Sequence, residues 1–122
     1  MLYVDKAKLN QAVFNLLINS IKYAEDNPEY FKISLEIEET RDSYIIKFKD
    51  WGIGIRRGLE EKIFENGFWT PEAINKNVTG SGLGLTIARG IMREMGGDLR
   101  LGTNPKPTEF QMVLPKSLAR QQ

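Results

Sequence analysis

The sequence predicts an α+β sandwich in which helices pack on one face of a mixed β-sheet. Two stretches carry apolar residues at helical spacing, residues 6–24 and the segment that starts at Gly82. Four shorter segments, arranged as two pairs, are alternating or rich in β-branched apolar residues. The order helix, two strands, helix, two strands therefore predicts one two-layer domain.

Composition is that of a single globular domain. The chain has 122 residues, of which 41% are apolar and 27% charged, and a net charge of +1 gives no reason to expect nucleic acid or an anionic membrane as partner. No apolar run reaches the roughly 18–20 residues of a membrane span, and the start does not resemble a signal peptide. The chain has no Cys, which excludes disulfides and thiolate chemistry. It also has no His, so no imidazole of this chain can act as base, metal ligand or phosphoacceptor.

The remaining elements are predicted from turn and cap signals. Asp5 is expected to be the N-cap of the first helix, and Gly96-Gly97 to end the second helix, which carries apolar residues every fourth position. A short helix is expected within 58–64. An irregular segment follows at about residues 65–82, and loops of this length are usually functional lids or disordered. The predicted strands are Phe31–Glu38 and Tyr44–Lys49, which form an antiparallel hairpin across a polar linker, followed by Asp98–Leu101 and Glu109–Leu114. Residues 1–4 look like the end of another strand.

A polar strip marks the first predicted helix. Asn15, Asn19 and Lys22 fall within about 60° of one another on a helix, and Tyr23 lies beside them. Two amides and an ammonium in an otherwise largely apolar helix are costly unless a polar group meets them, so the strip indicates a ligand. The alternative is that the amides bond to neighbouring backbone while Lys22 is solvated.

Two glycine-containing segments suggest what that ligand is. Asp50 follows a strand, and its carboxylate can accept a hydrogen bond from an exocyclic amine while Gly52 and Gly54 let the backbone approach a flat ring. The segment 80–85, Gly-Ser-Gly-Leu-Gly-Leu, precedes a helix whose N-terminal N–H groups would suit phosphate. Each segment could instead be a structural turn. Amide oxygens also suit Mg²⁺, so together the features indicate a site for a purine nucleoside triphosphate.

These segments, in this order, resemble the catalytic and ATP-binding domain of sensor histidine kinases, in the superfamily shared with type II topoisomerases and Hsp90. Residues 15–23 resemble its N box, 50–55 its first glycine box, 63–68 its F box and 80–85 its second glycine box. The resemblance covers nearly the whole chain, from about Asp5 to Pro115. It implies a sandwich of the Bergerat type and an ATP lid at about residues 65–82.

The resemblance also implies roles for individual residues. Asn19 would bind Mg²⁺, Asp50 the adenine amino group, and Tyr23 would lie against the purine, while Lys22 and the second glycine box would meet the phosphates. Lys76 would replace an Arg that family lids often carry after the F box, unless it is simply a solvated lysine. The residues expected to contact nucleotide are Asn15, Asn19, Lys22, Tyr23, Asp50, Gly52, Gly54, Ile55, Phe64, Lys76, Gly80, Ser81, Gly82, Leu83, Gly84 and Leu85.

One position favours a kinase over an ATPase. Relatives of the topoisomerase type, and related serine kinases, carry a general-base Glu four residues before the Mg²⁺-binding Asn. Here that position is Asn15, whose amide cannot take a proton from water at neutral pH. No catalytic residue is assigned within this chain.

The sequence thus leads us to expect an ATP-binding domain, 1–122, that donates the γ-phosphoryl group of Mg·ATP to a histidine on a separate helical dimerisation domain and, through it, to a response regulator. We expect a cytoplasmic location and no contact with nucleic acid or membrane. Two alternatives are a non-catalytic ATP-binding regulatory module and a stand-alone serine kinase of the anti-sigma-factor kind.

Overall fold

The computed structural model describes residues 5–22, 32–51, 55, 58–65, 84–102 and 107–117. Over these ranges the α+β fold and the predicted order of helices and strands are confirmed. The elements are helix α1 (Lys6–Lys22), strands β1 (Ile33–Glu39) and β2 (Ser43–Asp50), a 3₁₀ turn (Lys62–Phe64), helix α2 (Gly84–Glu94), and strands β3 (Asp98–Leu101) and β4 (Thr108–Pro115).

The strands form one sheet in the order β1-β2-β4-β3. All three pairings between the described strands are antiparallel, whereas the sequence suggested a mixed sheet. The antiparallel pairing of β1 with β2 confirms the predicted hairpin. The short connections at 40–42 and 102–107 exclude parallel pairing of β1 with β2 and of β3 with β4, because a parallel pair needs a crossover of a dozen residues or more. Residues 1–4, expected to be a strand end, lie outside the described residues.

The core lies between the two helices and one face of this sheet. Strand β4 shows the division most clearly, since its alternate residues from Thr108 to Leu114 are buried and those between them are partly exposed. Helix α1 packs beside α2 over the same face. The fully buried apolar residues that join the two layers are Ala12, Leu16, Phe48, Ala88, Met92, Leu99, Phe110 and Met112.

The ends of both helices follow from local chemistry. Asp5 Oδ1 accepts hydrogen bonds from the backbone N–H groups of Ala7 (3.0 Å) and Lys8 (3.2 Å), which confirms the predicted N-cap of α1. Helix α2 ends where Gly96 adopts φ 87°, as the predicted glycine stop requires. A Cβ at Gly97 would collide with the Val113 carbonyl oxygen, so glycine lets the chain turn closely over β4 into β3.

Two predicted elements differ in detail. The short helix expected within 58–64 is reduced to the 3₁₀ turn, because Gly58 has φ 92° and Glu65 is already extended. In α2 the buried residues are Ala88, Ile91 and Met92, while the apolar Ile87 remains 44% exposed.

Among the described helices, none is long and apolar enough to cross a membrane.

Candidate functional site

The polar strip of α1 lies beside the start of α2. Asn15 and Asn19 are both half-buried on α1. Asn15 Nδ2 approaches the carbonyl oxygen of Gly84 at 3.5 Å, a long hydrogen bond between residues that are 69 positions apart in the chain. Leu85 packs partly buried against the core and holds this end of α2 in place. The fold therefore brings the first and last of the sequence motifs together.

A buried polar pair joins α1 to the end of β2. The Ser20 hydroxyl donates a hydrogen bond to Asp50 Oδ2 at 3.0 Å, and these residues are only 0% and 3% exposed. Asp50 stands directly opposite Thr108 of β4, which is also buried. Burying a carboxylate is costly unless hydrogen bonds meet it, so the position of this side chain is strongly constrained.

The chain that leaves Asp50 is held from the side of β1. The backbone N–H of Trp51 donates to the carbonyl oxygen of Lys32 at 3.1 Å, and Lys32 Nζ lies 4.5 Å from the centroid of the Trp51 ring. Further along, Ile55 is partly buried against the core. These contacts fix both ends of the segment that contains the first glycine box.

Phe64 of the predicted F box is placed in the core. It is 7% exposed, and its ring meets Phe110 edge to face with centroids 6.4 Å apart and an interplanar angle of 81°. The Thr86 hydroxyl donates to the Phe64 carbonyl oxygen at 2.7 Å, which ties this turn to α2. Contact between Phe64 and nucleotide stays a prediction, whereas its packing role is evident.

A charged cluster supports the same turn from α2. The Arg89 guanidinium lies 4.2 Å from the centroid of the Phe64 ring and forms two hydrogen bonds to the Glu61 carboxylate, at 2.7 and 3.1 Å. Arg93 Nε donates to Asp98 Oδ1 at 2.9 Å. The bidentate contact is the strong form of an arginine–carboxylate pair, so the 3₁₀ turn and the last turns of α2 are held together.

These contacts shift the pKa values of the groups involved. The hydrogen bonds from Arg89 lower the pKa of Glu61 and raise that of Arg89 itself. At Asp98, burial acts to raise the pKa, but the hydrogen bonds from Arg93 and from the Leu99 N–H, together with the arginine charges, lower it overall. Both carboxylates are thus held in the ionised form that the arginines require.

Sequence reasoning missed Ser20, Thr86 and Arg89. Ser20 falls on a largely apolar side of α1, although a small hydroxyl next to Asn19 is a usable signal. The other two lie on a helix whose partners are distant in sequence, so no local pattern could reveal them. Lys22 ends α1. The predicted site residues that lie outside the described residues are Tyr23, Gly52, Gly54, Lys76, Gly80, Ser81, Gly82 and Leu83.

Comparison with known proteins shows which family the chain belongs to. The profile of the family described as "Histidine kinase-, DNA gyrase B-, and HSP90-like ATPase" matches residues 4–118. The chain belongs to this family. The resemblance predicted from the four motifs, to the catalytic and ATP-binding domain of sensor histidine kinases, is confirmed.

Its relatives within the family include sensor kinases of several bacteria. The sensor histidine kinase WalK of Bacillus subtilis is 31% identical over 113 residues, which are 92% of this chain and 18% of WalK. The CAI-1 autoinducer sensor kinase/phosphatase CqsS of Vibrio cholerae is 36% identical over 110 residues, 88% of this chain and 15% of CqsS. The chain therefore spans less than a fifth of the length of these relatives.

Solved structures of family members have the same fold. The mycobacterial sensor histidine kinase MprB superposes with a TM-score of 0.75 at 28% identity, over 91% of this chain and 72% of that one. The catalytic domain of histidine kinase ThkA superposes with a TM-score of 0.72 at 29% identity, over 93% of this chain and 70% of that one. ThkA in complex with the response regulator protein TrrA superposes with a TM-score of 0.70 at 26% identity, over 96% of this chain and 31% of that one.

The site also fits the chemistry of ATP with Mg²⁺. Among the described residues there is no group of three or more acidic side chains that could hold a metal ion unaided. Mg²⁺ in nucleotide sites commonly takes only one or two protein ligands, with phosphates and waters completing its shell. The half-buried amide of Asn19 is a suitable oxygen donor for such a shared site.

Proposed function

We propose that this domain binds Mg·ATP and donates the γ-phosphoryl group to a histidine on a separate helical dimerisation domain in a two-component system. One observation carries the proposal, the convergence of the N box of α1 on two other motifs. Asn15 meets Gly84 at the start of α2, and Ser20 meets Asp50 at the end of β2. Groups suited to a purine, a metal and phosphates thereby border one region of the fold.

Each group has a role in this proposal. Asp50 accepts a hydrogen bond from the adenine amino group, and Asn19 gives an amide oxygen to Mg²⁺. The N-terminus of α2 at Gly84 offers its backbone N–H groups and positive dipole end to phosphate oxygens. The predicted lid at about residues 65–82, with Lys76, and the second glycine box complete the phosphate contacts, together with Lys22.

Phosphoryl transfer depends mainly on positioning and charge neutralisation, so the domain needs few reacting side chains of its own. Asn15 stands where ATPases of the topoisomerase type and related serine kinases carry a general-base Glu, and its amide does not activate water. The acceptor histidine must come from another domain, because this chain contains no His. The complex of the related ThkA with a response regulator supports an onward transfer of the same kind.

Calorimetric titration of the chain with Mg·ATP tests the binding site. We expect Asp50→Ala to weaken binding by about 10- to 100-fold, the worth of a hydrogen bond to a charged group in a buried site. Asn19→Ala is expected to remove most of the difference between titrations with and without Mg²⁺. Gln111→Ala, on the opposite face of the sheet, serves as the matched control. Unchanged affinity in both site variants would contradict the assignment.

Labelled ATP and a histidine-bearing dimerisation domain test the transfer. Acid-labile phosphate on that partner is the expected product. Acid-stable phosphate on serine would favour a serine kinase instead. Binding of ATP without any transfer would indicate a regulatory module.

A further inference from the structure

The Ser20–Asp50 pair has a consequence for which nucleotide the site accepts. Both residues are at least 97% buried, and the hydroxyl-to-carboxylate distance of 3.0 Å is that of a direct hydrogen bond. A serine hydroxyl has only one proton to donate, and here it is given to Asp50 Oδ2. Because Ser20 lies on α1 and Asp50 on β2, the pair also links the two layers at this point.

We propose that Ser20 is a positioning residue that sets the nucleobase preference of this site by holding Asp50 as a hydrogen-bond acceptor. The inference rests on the proposed function, in which Asp50 receives the exocyclic amine of the base. A carboxylate has about four lone-pair positions, so the Ser20 hydroxyl, which occupies one of them, does not itself exclude an amine. The hydroxyl limits the rotation of the carboxylate and thereby keeps an oxygen directed at the base.

The same arrangement rejects a 6-oxo purine. A guanine O6 is an acceptor and would face the acceptor oxygens of Asp50, so no hydrogen bond forms between them in this buried site. The Ser20 proton cannot relieve this mismatch, because it is already donated to the carboxylate. The pair therefore selects for a 6-amino purine more strongly than Asp50 would alone.

The inference is tested by removing the Ser20 hydroxyl from the protein and the 6-amino group from the nucleotide, separately and together. The affinities of ATP, GTP and purine riboside triphosphate, which lacks the 6-amino group, are measured for the unaltered chain and for Ser20→Ala. We expect Ser20→Ala to lower the affinity for ATP about tenfold, while the affinity for purine riboside triphosphate changes by less than about twofold. The preference for ATP over GTP should fall by a similar factor. Ser34→Ala, which removes a half-buried hydroxyl on the opposite face of β1, should change neither ratio.

A purely structural role predicts a different result. Equal weakening of all three nucleotides by Ser20→Ala, or no change in ATP affinity, would overturn the inference. If the Ala variant melts at the assay temperature, Ser20→Cys decides by the same criteria, since a thiol of similar size is only a weak donor.

Asp50→Asn separates the inference from the proposed function. If Asp50→Asn loses the preference for ATP and Ser20→Ala keeps it, only the role of Ser20 is refuted. Retained ATP preference in Asp50→Asn would refute the role of Asp50 in the proposed function, and the role of Ser20 with it.

Discussion

The two faces of the β-sheet use polar groups in opposite ways. On the outer face, Lys47 pairs with Glu38 at 2.6 Å and Lys49 with Glu36 at 3.3 Å, and the carboxylates of both pairs are about half exposed. On the inner face, Asp50 is buried beneath α1 and hydrogen-bonded to Ser20. Exposed pairs contribute little because water competes for both partners, whereas a buried polar group must keep its partner. Among the described residues, the few buried polar groups therefore mark the face of the proposed site better than the many surface charges.

The charged cluster at α2 is intermediate between these faces. Arg89 has a side chain only 11% exposed, whereas its partners Glu61 and Asp98 are 79% and 42% exposed. The arginine is thus packed like a core residue, over the Phe64 ring, while its charge is met from the solvent side. The ion pairs Lys47–Glu38 and Lys49–Glu36 on the outer face form what we call the outer ladder. We expect contacts in the charged cluster to contribute more to the free energy of unfolding than the outer ladder and less than the apolar core.

The largest contrast is expected between two neighbours in β4. Phe110→Ala should lower the free energy of unfolding by about 3–5 kcal/mol, because it leaves a cavity against Phe64 in the core. Gln111→Ala, one residue later on the outer face, should cost less than about 0.5 kcal/mol, although it removes the amide oxygen that accepts a hydrogen bond from Arg100 Nε. Urea denaturation of the two variants measures both values. Similar losses would show that the outer face is also structurally critical.

A smaller effect is expected from the cluster at α2, and it should depend on pH. The pKa of Asp98 is lowered in the folded chain. The ionised Asp98 carboxylate therefore stabilises the folded state at neutral pH, and this stabilisation is lost as the pH falls through the acid range. Asp98→Asn should therefore lower Tm by about 2–4 °C at neutral pH and flatten the acid decline. Melting curves between about pH 2 and pH 7 test this. The decline should not vanish, because the pKa of Glu61 is lowered too. Parallel pH profiles for the two proteins would contradict the assignment.

The smallest effect is expected on the outer ladder. The hydrogen bond from Lys47 lowers the pKa of Glu38, but both groups are in contact with water. Glu38→Gln should change Tm by less than about 2 °C, and about 1 M salt should erase the difference by screening. A larger shift that persists in salt would mean that the ladder stabilises the sheet in the same way as a buried contact.

Much of the architecture was predictable because its causes are local. The N-cap at Asp5 depends on backbone groups two and three residues away, and the glycine stop of α2 on the conformation of Gly96. Alternation in β4 follows from the two-residue period of a strand. The ordered motifs were likewise sufficient to recognise the family, because each is a short contiguous stretch.

The sequence by itself determined the elements, their order and the polar strip that needed a partner. Only the tertiary structure decided which groups meet: Ser20 with Asp50 across 30 positions, Asn15 with Gly84 across 69, and Arg89 with Phe64. It also placed Phe64 in the core and paired β2 with β4, two strands that are distant in the chain. Such contacts depend on how the layers pack, because side chains distant in the chain become neighbours only when apolar burial sets the distance between helix and sheet.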